Sequence, residues 1–94
     1  MGNVSIKIGT MVFEEATYDA ENDVLYLSVG SPEGGEGELT PEGHVILYAR
    51  GTERVVGITL LGPRQILERD DRLVVTMPEA VETSADLTAM LRAA

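Results

Sequence analysis

Two short apolar runs in the middle of the chain constrain its fold more than any other feature. Val45–Ala49 and Val55–Leu61 are rich in β-branched and aliphatic residues, and a polar turn that contains Gly51 separates them. Short runs of this kind on either side of a glycine-containing turn are typical of a β-hairpin. The sequence therefore predicts a pair of antiparallel strands at the centre of the molecule.

Neither of these predicted strands has a clean polar face. Successive side chains of a strand point to opposite sides, and a strand that is solvated on one side should alternate between apolar and polar residues. Both sides of this pair are instead apolar, and we group the residues as Val45, Leu47, Val56, Ile58 and Leu60 on one face, with Ile46, Tyr48, Val55 and Leu61 behind them. Both faces therefore need a cover. A second copy of the chain is one candidate for the second cover, and the N-terminal strand together with the loop from Gly30 to Gly43 is the other.

The rest of the chain predicts further strands and two helices. Apolar alternation predicts strands at residues 4–8, 11–18, 24–29 and 73–77, with an interruption at Glu14 and Glu15. Residues 30–43 contain five glycines and two prolines, which predicts a mobile excursion with room for a brief strand at 36–40. A short helix is expected at residues 64–68, because Pro63 suits a first helical turn.

The C-terminal segment predicts the longer helix. Thr83 and Asp86 resemble a capping box, and Leu87, Met90, Leu91 and Ala94 fall on one helical face, so we expect a helix from about Ser84. Residues 1–94 are expected to form a single small domain of the α+β class. Its predicted architecture is one antiparallel β-sheet of about five or six strands, mainly in meander order, with the C-terminal helix packed on one face.

The charge of the chain narrows its range of partners. It has 16 acidic and 7 basic side chains, for a formal net charge of −9. This balance opposes nucleic-acid binding, which relies on Lys and Arg to displace phosphate counterions, and it favours a basic protein partner. No apolar stretch approaches membrane-spanning length, no signal-like segment opens the chain, and there is no cysteine. We expect a soluble cytoplasmic protein that does not bind a membrane.

Three sets of residues invite a chemical role, and each has a simpler explanation. Asp19, Glu21 and Asp23 place carboxylates at alternate positions, as a calcium loop does, but valine follows where that loop needs glycine. His44 is the single histidine, and no serine lies in a nucleophile-elbow pattern, so we expect it at the surface or rim. The glycines of residues 30–43 lack the lysine of a phosphate loop. We predict no catalytic, cofactor-binding or metal-binding residue, and no cofactor.

Two segments resemble a known family. YDAENDVLYL, from Tyr18 to Leu27, is similar to the opening signature of the bacterial domain-of-unknown-function family 2283, a Tyr-Asp turn before an Asp-x-Leu-Tyr strand. HVILYARGTERVVGITLL resembles its second signature, and together the two cover roughly residues 11–61. Ala49 and Arg50 replace the acidic residues usual in the second turn, and Thr59 replaces the glutamate that usually follows Gly-Ile. The resemblance implies a small antiparallel β domain and assigns no activity.

These observations predict a non-enzymatic protein-interaction module that forms a homodimer. Three alternatives stay open beside it. One is a small enzyme or ligand-binding domain that uses strand carboxylates, such as Glu14 or Glu15 with Asp23, whose pKa values its pocket would have to separate. Another is an antitoxin-like role, which the resemblance implies because small proteins of this kind are sometimes encoded beside putative toxins. A purely structural subunit of a larger assembly is a third class.

Overall fold

The computed structural model describes residues 5–30 and 35–93. Within these ranges the chain forms nine β-strands and two α-helices, which confirms the predicted α+β class. The elements in chain order are β1 (Ile6–Ile8), β2 (Met11–Phe13), β3 (Glu15–Asp19), β4 (Val24–Ser28), β5 (Gly35–Leu39), β6 (Val45–Ala49), β7 (Val55–Leu61), α1 (Pro63–Asp70), β8 (Val74–Thr76), β9 (Val81–Thr83) and α2 (Ala85–Ala93).

Five strands form one antiparallel sheet in the order β3-β4-β7-β6-β5. Three of its four neighbouring pairs are sequential hairpins, as the mainly meander order predicted. The exception is β4, which pairs with β7, so the chain passes from β4 to the opposite edge of the sheet before β5 begins. The pairs β1-β2 and β8-β9 are separate two-stranded ribbons, and α2 contacts β1.

The register of the central hairpin corrects our grouping of its side chains. Ile46 lies opposite Ile58, whereas Val45 and Leu47 lie opposite Thr59 and Gly57. Val45 and Leu47 therefore occupy the face away from Ile58 and Leu60, and placing all four together was wrong. A shift of one residue in strand pairing exchanges the two faces, and the turn at residues 50–54 together with the irregularity between Leu47 and Tyr48 sets this pairing.

One face of the five-stranded sheet carries the core. Leu25, Leu27, Ile58 and Leu60 are at most 3% exposed and point to this side, which we call the covered face. The cover consists of the two ribbons and the two helices, whose buried members in the same core are Ile6, Ile8, Phe13, Leu67, Leu73, Val75, Met77, Leu87 and Leu91. Burial of these aliphatic side chains supplies the main driving force for this arrangement.

The C-terminal helix begins where the sequence predicted. Ser84 precedes α2, and its Oγ accepts a hydrogen bond from the N–H of Leu87 at 3.1 Å. Ser84 therefore caps the helix, and the expected role of Thr83 in a capping box is wrong because Thr83 ends strand β9. Leu87 and Leu91 are fully buried on the inward side of the helix.

The N-terminal strand β1 is fastened to the same side of the sheet. The backbone N–H of Lys7 donates to Asp86 Oδ2 at 3.1 Å, and the Ser84 hydroxyl donates to the Lys7 carbonyl. Ile6 and Ile8 are each 1% exposed in the core. The N-terminal strand therefore helps to cover the core side and does not fold over the other face, which removes that half of the alternative cover. Val4, the expected first residue of this strand, lies outside the described residues.

Three segments differ in extent from their predictions. The strand expected at residues 11–18 is divided at Glu14 into β2 and β3, which belong to different sheets. The short helix expected at residues 64–68 is longer and spans Pro63–Asp70. The excursion predicted at residues 30–43 contains a regular edge strand, β5, at Gly35–Leu39. The first glycine of β5 is required by close packing, because a Cβ atom at Gly35 would clash with the Tyr48 carbonyl oxygen. Residues 31–34 of the excursion lie outside the described ranges.

Candidate interaction surface

The second face of the five-stranded sheet is not packed against the helices or ribbons that carry the core. Strand alternation and the pairing register place positions from four adjacent strands on this second face. They are Val24, Tyr26 and Ser28 of β4; Gly57, Thr59 and Leu61 of β7; Val45 and Leu47 of β6; and Gly35, Gly37 and Leu39 of β5. We call these positions the open face. Tyr26 is 51% exposed, Leu61 46% and Leu39 70%, whereas Val24, Val45 and Leu47 are half-buried by their neighbours.

The open face carries no Asp, Glu, Lys, Arg or His among these positions. Its polar members are one tyrosine, one serine and one threonine, in a chain in which 24% of all residues are charged. The carboxylates of Glu15 and Asp19 lie at the border, on strand β3, opposite Ser28 and Val24. Depletion of charge with enrichment in tyrosine is the composition of the buried centre of a protein interface.

Glycines make the middle of the open face shallow. A Cβ atom at Gly57 would lie 2.8 Å from the Leu27 carbonyl oxygen, so the backbone of β4 and β7 tolerates no side chain there. At Gly37 a Cβ atom would lie 3.0 Å from Val45 Cγ1. The side chains of Val45 and Leu47 therefore spread over the neighbouring glycines, which leaves a low apolar surface suited to a flat partner.

Asp23 fastens the end of the sheet to helix α1. Its Oδ1 accepts the Tyr18 hydroxyl at 2.8 Å and the Arg64 N–H at 3.2 Å, and its Oδ2 accepts the Gln65 N–H at 3.1 Å. Burial acts to raise the pKa of Asp23, but these hydrogen bonds outweigh it and hold the pKa below its ordinary value. The carboxylate thus serves as a cap for the first turn of α1, which has no side-chain cap of its own.

The acidic residues singled out from the sequence do not converge on one site. Asp19 accepts hydrogen bonds from the backbone and side chain of Asn22, and Glu21 is exposed. Hydrogen bonds from Asn22 lower the pKa of Asp19. Across residues 5–30 and 35–93, no group of three or more His, Asp or Glu side chains has the arrangement of a metal site.

The carboxylate pair of the enzyme alternative is spread along one hairpin. Glu15 begins β3 opposite Ser28, whereas Asp23 precedes Val24 at the other end. At about 3.4 Å per residue, the length of β3 separates them by roughly 14 Å. Glu14 and Glu15 are both exposed, and Asp23 is already held by α1. The structure therefore does not bring these carboxylates into one pocket.

His44 is fully buried, which corrects the expected surface or rim position. Its Nδ1 accepts the Leu61 N–H at 3.2 Å, and its backbone N–H donates to Thr40 Oγ1 at 3.1 Å. Nε2 finds no hydrogen-bond partner among the described residues. Burial lowers the pKa of His44, and the charge of Glu42 opposes this effect. The neutral ring thus holds the end of β7 against the start of β6.

Glu42 forms a second link between the sheet and its cover. Its two carboxylate oxygens accept the backbone N–H of Thr76 at 3.0 Å and the Thr76 hydroxyl at 2.6 Å. Burial acts to raise the pKa of Glu42, but the bonds from Thr76 outweigh it and leave the pKa lowered. Glu42, like Asp23, has a structural role that the sequence did not reveal, because both act on backbone distant in the chain.

No family model, curated protein or solved structure matches this chain. The resemblance to domain-of-unknown-function family 2283 therefore stays a prediction. Neither of the two helices in the described part of the chain combines the length and the apolar composition needed to cross a bilayer.

Sequence reasoning missed the most exposed members of the open face. Tyr26 and Leu39 both fell on predicted strands, but the side exposed to solvent depends on where the cover packs. The available signal was the pattern Gly-Glu-Gly-Glu-Leu at residues 35–39, whose strict alternation separates two glutamates from an uncharged side.

Proposed function

We propose that the chain is a non-enzymatic protein-interaction module that forms a homodimer through its open face. The observation that carries the proposal is an exposed, uncharged surface that continues across four adjacent strands. The largest contiguous apolar patch on a protein surface is often a functional one. Two identical faces also suit a two-fold axis, the commonest symmetry of protein oligomers.

The size of the face sets the strength expected for the dimer. Four strands at about 4.8 Å spacing and five to seven residues long span about 19 Å by 17–24 Å. The footprint is therefore about 330–460 Å² per copy, or about 650–900 Å² for the pair, which is below the standard size of a stable interface and in the range of weak, transient ones. We expect a reversible dimer that forms in the micromolar range rather than an obligate one.

A charge placed on the open face tests the dimer. Leu61→Lys and Tyr26→Lys each introduce an ammonium group that the dimer would have to bury against the apolar face of the other copy. Multi-angle light scattering over the micromolar range should show a dimer for the wild type and a monomer for either variant. Circular dichroism should show that both variants keep the fold, because both side chains are about half exposed.

Two exposed valines outside the open face provide matched controls. Val81 on β9 is 63% exposed and Val12 on β2 is 46% exposed. Val81→Lys and Val12→Lys add the same charge in place of an apolar side chain without touching the open face, so both should remain dimeric. A wild type that stays monomeric throughout the concentration range, or controls that dissociate as readily as Leu61→Lys, would show that the open face is not the interface.

The acidity of the chain supports a second kind of partner, a basic protein. A net charge of −9 accelerates encounter with cationic surfaces and keeps nucleic acids away. The cytoplasmic location and the antitoxin-like role stay predictions from the sequence. Affinity capture from the native cell with mass spectrometry would identify the partner.

A further inference from the structure

In the described part of the chain, the outer edge of β5 is an unpaired strand edge. Among the described residues β5 pairs with β6 alone, at one end of the five-stranded sheet. The Thr40 N–H donates to the His44 carbonyl at 2.7 Å, which marks that pair as hydrogen-bonded. Hydrogen-bonded pairs alternate along an antiparallel ladder, so Glu38 and Glu36 direct their backbone groups toward β6. Gly35, Gly37 and Leu39 direct their backbone groups outward, where none of the nine described strands receives them.

A groove accompanies this edge on the covered-face side. It has a volume of about 820 Å³, and its walls include Glu36 and Glu38 from β5, Glu53 from the turn before β7, and Glu79 after β8. Tyr48 and Pro78 contribute apolar surface to it, and both also line a smaller groove of about 220 Å³ that continues along β5. In the described part of the chain, no lysine or arginine lines either groove.

The glutamates that line the groove influence Tyr48, which lines the same groove. Burial, followed by the negative charges of Glu38 and Glu53, raises the pKa of Tyr48. Glu36 lies directly opposite Tyr48 in the ladder, and Glu38 lies opposite Ile46, so the side chains of both glutamates project to the groove side of the sheet. Lysine and arginine can place their aliphatic stems on apolar surface while their charged ends remain beside carboxylates and water.

The charges of Glu36 and Glu38 oppose pairing of the β5 edge with the same edge of a second copy. Two copies of β5 paired edge to edge would bring Glu36 and Glu38 of one chain next to those of the other, and like charges facing each other across strands are destabilising. Charged residues on edge strands are a common protection against such self-pairing. A strand with lysine or arginine at alternate positions would instead neutralise this repulsion.

We propose that the edge of β5 binds an extended basic segment of a partner protein by strand addition, with alternate lysine or arginine side chains in the acidic groove. This inference deepens the proposed interaction function and rests on it for the partner class. It uses the outward backbone groups of β5 and the groove on the covered-face side, whereas self-association uses the side chains of the open face. Backbone hydrogen bonds supply affinity in this mode of binding, and alternate side chains supply specificity.

Fluorescence anisotropy with a labelled synthetic peptide tests strand addition. The peptide alternates lysine or arginine with valine or threonine, and a second peptide has the same sequence with two alternate residues N-methylated. N-methylation removes backbone donors and leaves the charge unchanged, so we expect it to weaken binding about tenfold. Equal binding of the two peptides would overturn strand addition, and so would no binding of the unmethylated peptide at millimolar protein concentration.

Matched variants test the groove. Glu36→Gln with Glu38→Gln should weaken binding of the unmethylated peptide about tenfold, because two charge pairs are lost. Glu14→Gln with Glu15→Gln removes the same charge from exposed positions away from β5 and should change affinity less than about twofold. Equal losses in the two double variants would overturn the assignment to β5. Leu61→Lys should still bind the peptide, so failure at the edge and failure of the dimer remain distinguishable.

Discussion

The two faces of the central sheet are built from the same strands, but one face is buried and the other is partly exposed. On β7, Leu60 is completely buried beneath the helices and ribbons, and the adjacent Leu61 is 46% exposed. On β4, Leu25 is completely buried and the adjacent Tyr26 is 51% exposed. The apolar content of a strand therefore does not say which side is core. The position of the cover decides it, and the side left open retains a composition suited to a partner.

The largest expected effect comes from the two adjacent leucines of β7. Leu60→Ala removes packing from the core and should lower the free energy of unfolding by about 2–5 kcal/mol. Leu61→Ala deletes the same atoms from a half-exposed position and should cost less than about 1 kcal/mol. Urea unfolding of both variants, at a protein concentration below that at which the dimer forms, measures these losses. Similar losses would mean that the open face is covered within one chain.

A smaller loss is expected where the cover is attached to the sheet. Asp23→Ala removes the acceptor of the Tyr18 hydroxyl and of two backbone N–H groups of α1, and should cost about 1–3 kcal/mol. Asp23→Asn retains an acceptor and tolerates the positive φ of 53° at this position, so it should lose less than the alanine variant. Thermal unfolding of the two variants gives the comparison, and an alanine variant as stable as the wild type would contradict the role of Asp23.

The pH dependence of Asp23 has a defined sign. Its pKa in the folded chain lies below the ordinary value of 3.8, so the folded state binds its proton less readily than the unfolded state does. The stability that it contributes is complete above that value and is lost as pH falls through the lowered pKa. The Asn variant should lack this component of acid unfolding.

The sequence predicted those features that depend on residues close together in the chain. The alternation of Leu25 and Leu27, the capping serine of α2 and the proline of α1 are local, and their elements were predicted at nearly the right positions. The register of β6 against β7 is not local in this sense, because it depends on the geometry of the turn and on an irregular pair. A one-residue uncertainty there exchanged the predicted faces.

The same limit explains the missed site residues. His44 is buried because its ring accepts a backbone N–H that lies 17 residues further along the chain. Glu42 reaches Thr76, 34 residues away. Neither contact leaves a pattern near the residue itself, so a single histidine or glutamate beside a glycine-rich stretch gives no sign of its partner.

His44 gives a third and smaller effect, at the contact between the start of β6 and the end of β7. Its pKa in the folded chain lies below the ordinary value of 6.5, so the unfolded chain takes up the proton first as pH falls. Stability should be constant above that value and should decrease below it, by at most about 1.4 kcal/mol per pH unit. Denaturant unfolding between neutral pH and pH about 5 measures this slope.

A variant without a titratable ring provides the control. His44→Asn places an amide oxygen near the position of Nδ1, where it accepts the Leu61 N–H without titrating. The variant should be less stable than the wild type at neutral pH and should show no slope between pH about 7 and 5. A slope of the same size in the variant would assign the effect to the carboxylates.

The smallest effect is expected at Glu42. Glu42→Gln keeps one acceptor for Thr76 and loses the charge, and should cost about 0.5–1 kcal/mol. Thr76→Val removes the hydroxyl donor and leaves the backbone N–H. If both changes act through the contact between Glu42 and Thr76, the double variant should lose less stability than the sum of the two single losses in a double-mutant cycle. Strict additivity would show that the link does not hold the cover.

The bonds that join Lys7 to the start of α2 span 77 and 79 residues of the chain. Loop closure over such a distance is entropically costly, whereas the hairpins of the sheet close over a few residues. A chain whose hairpins have formed but whose ends have not met exposes Ile58 and Leu60 as well as Leu61. We therefore expect the risk of aggregation to be greatest during refolding, when the sheet presents two apolar sides, and dilution to raise the refolding yield.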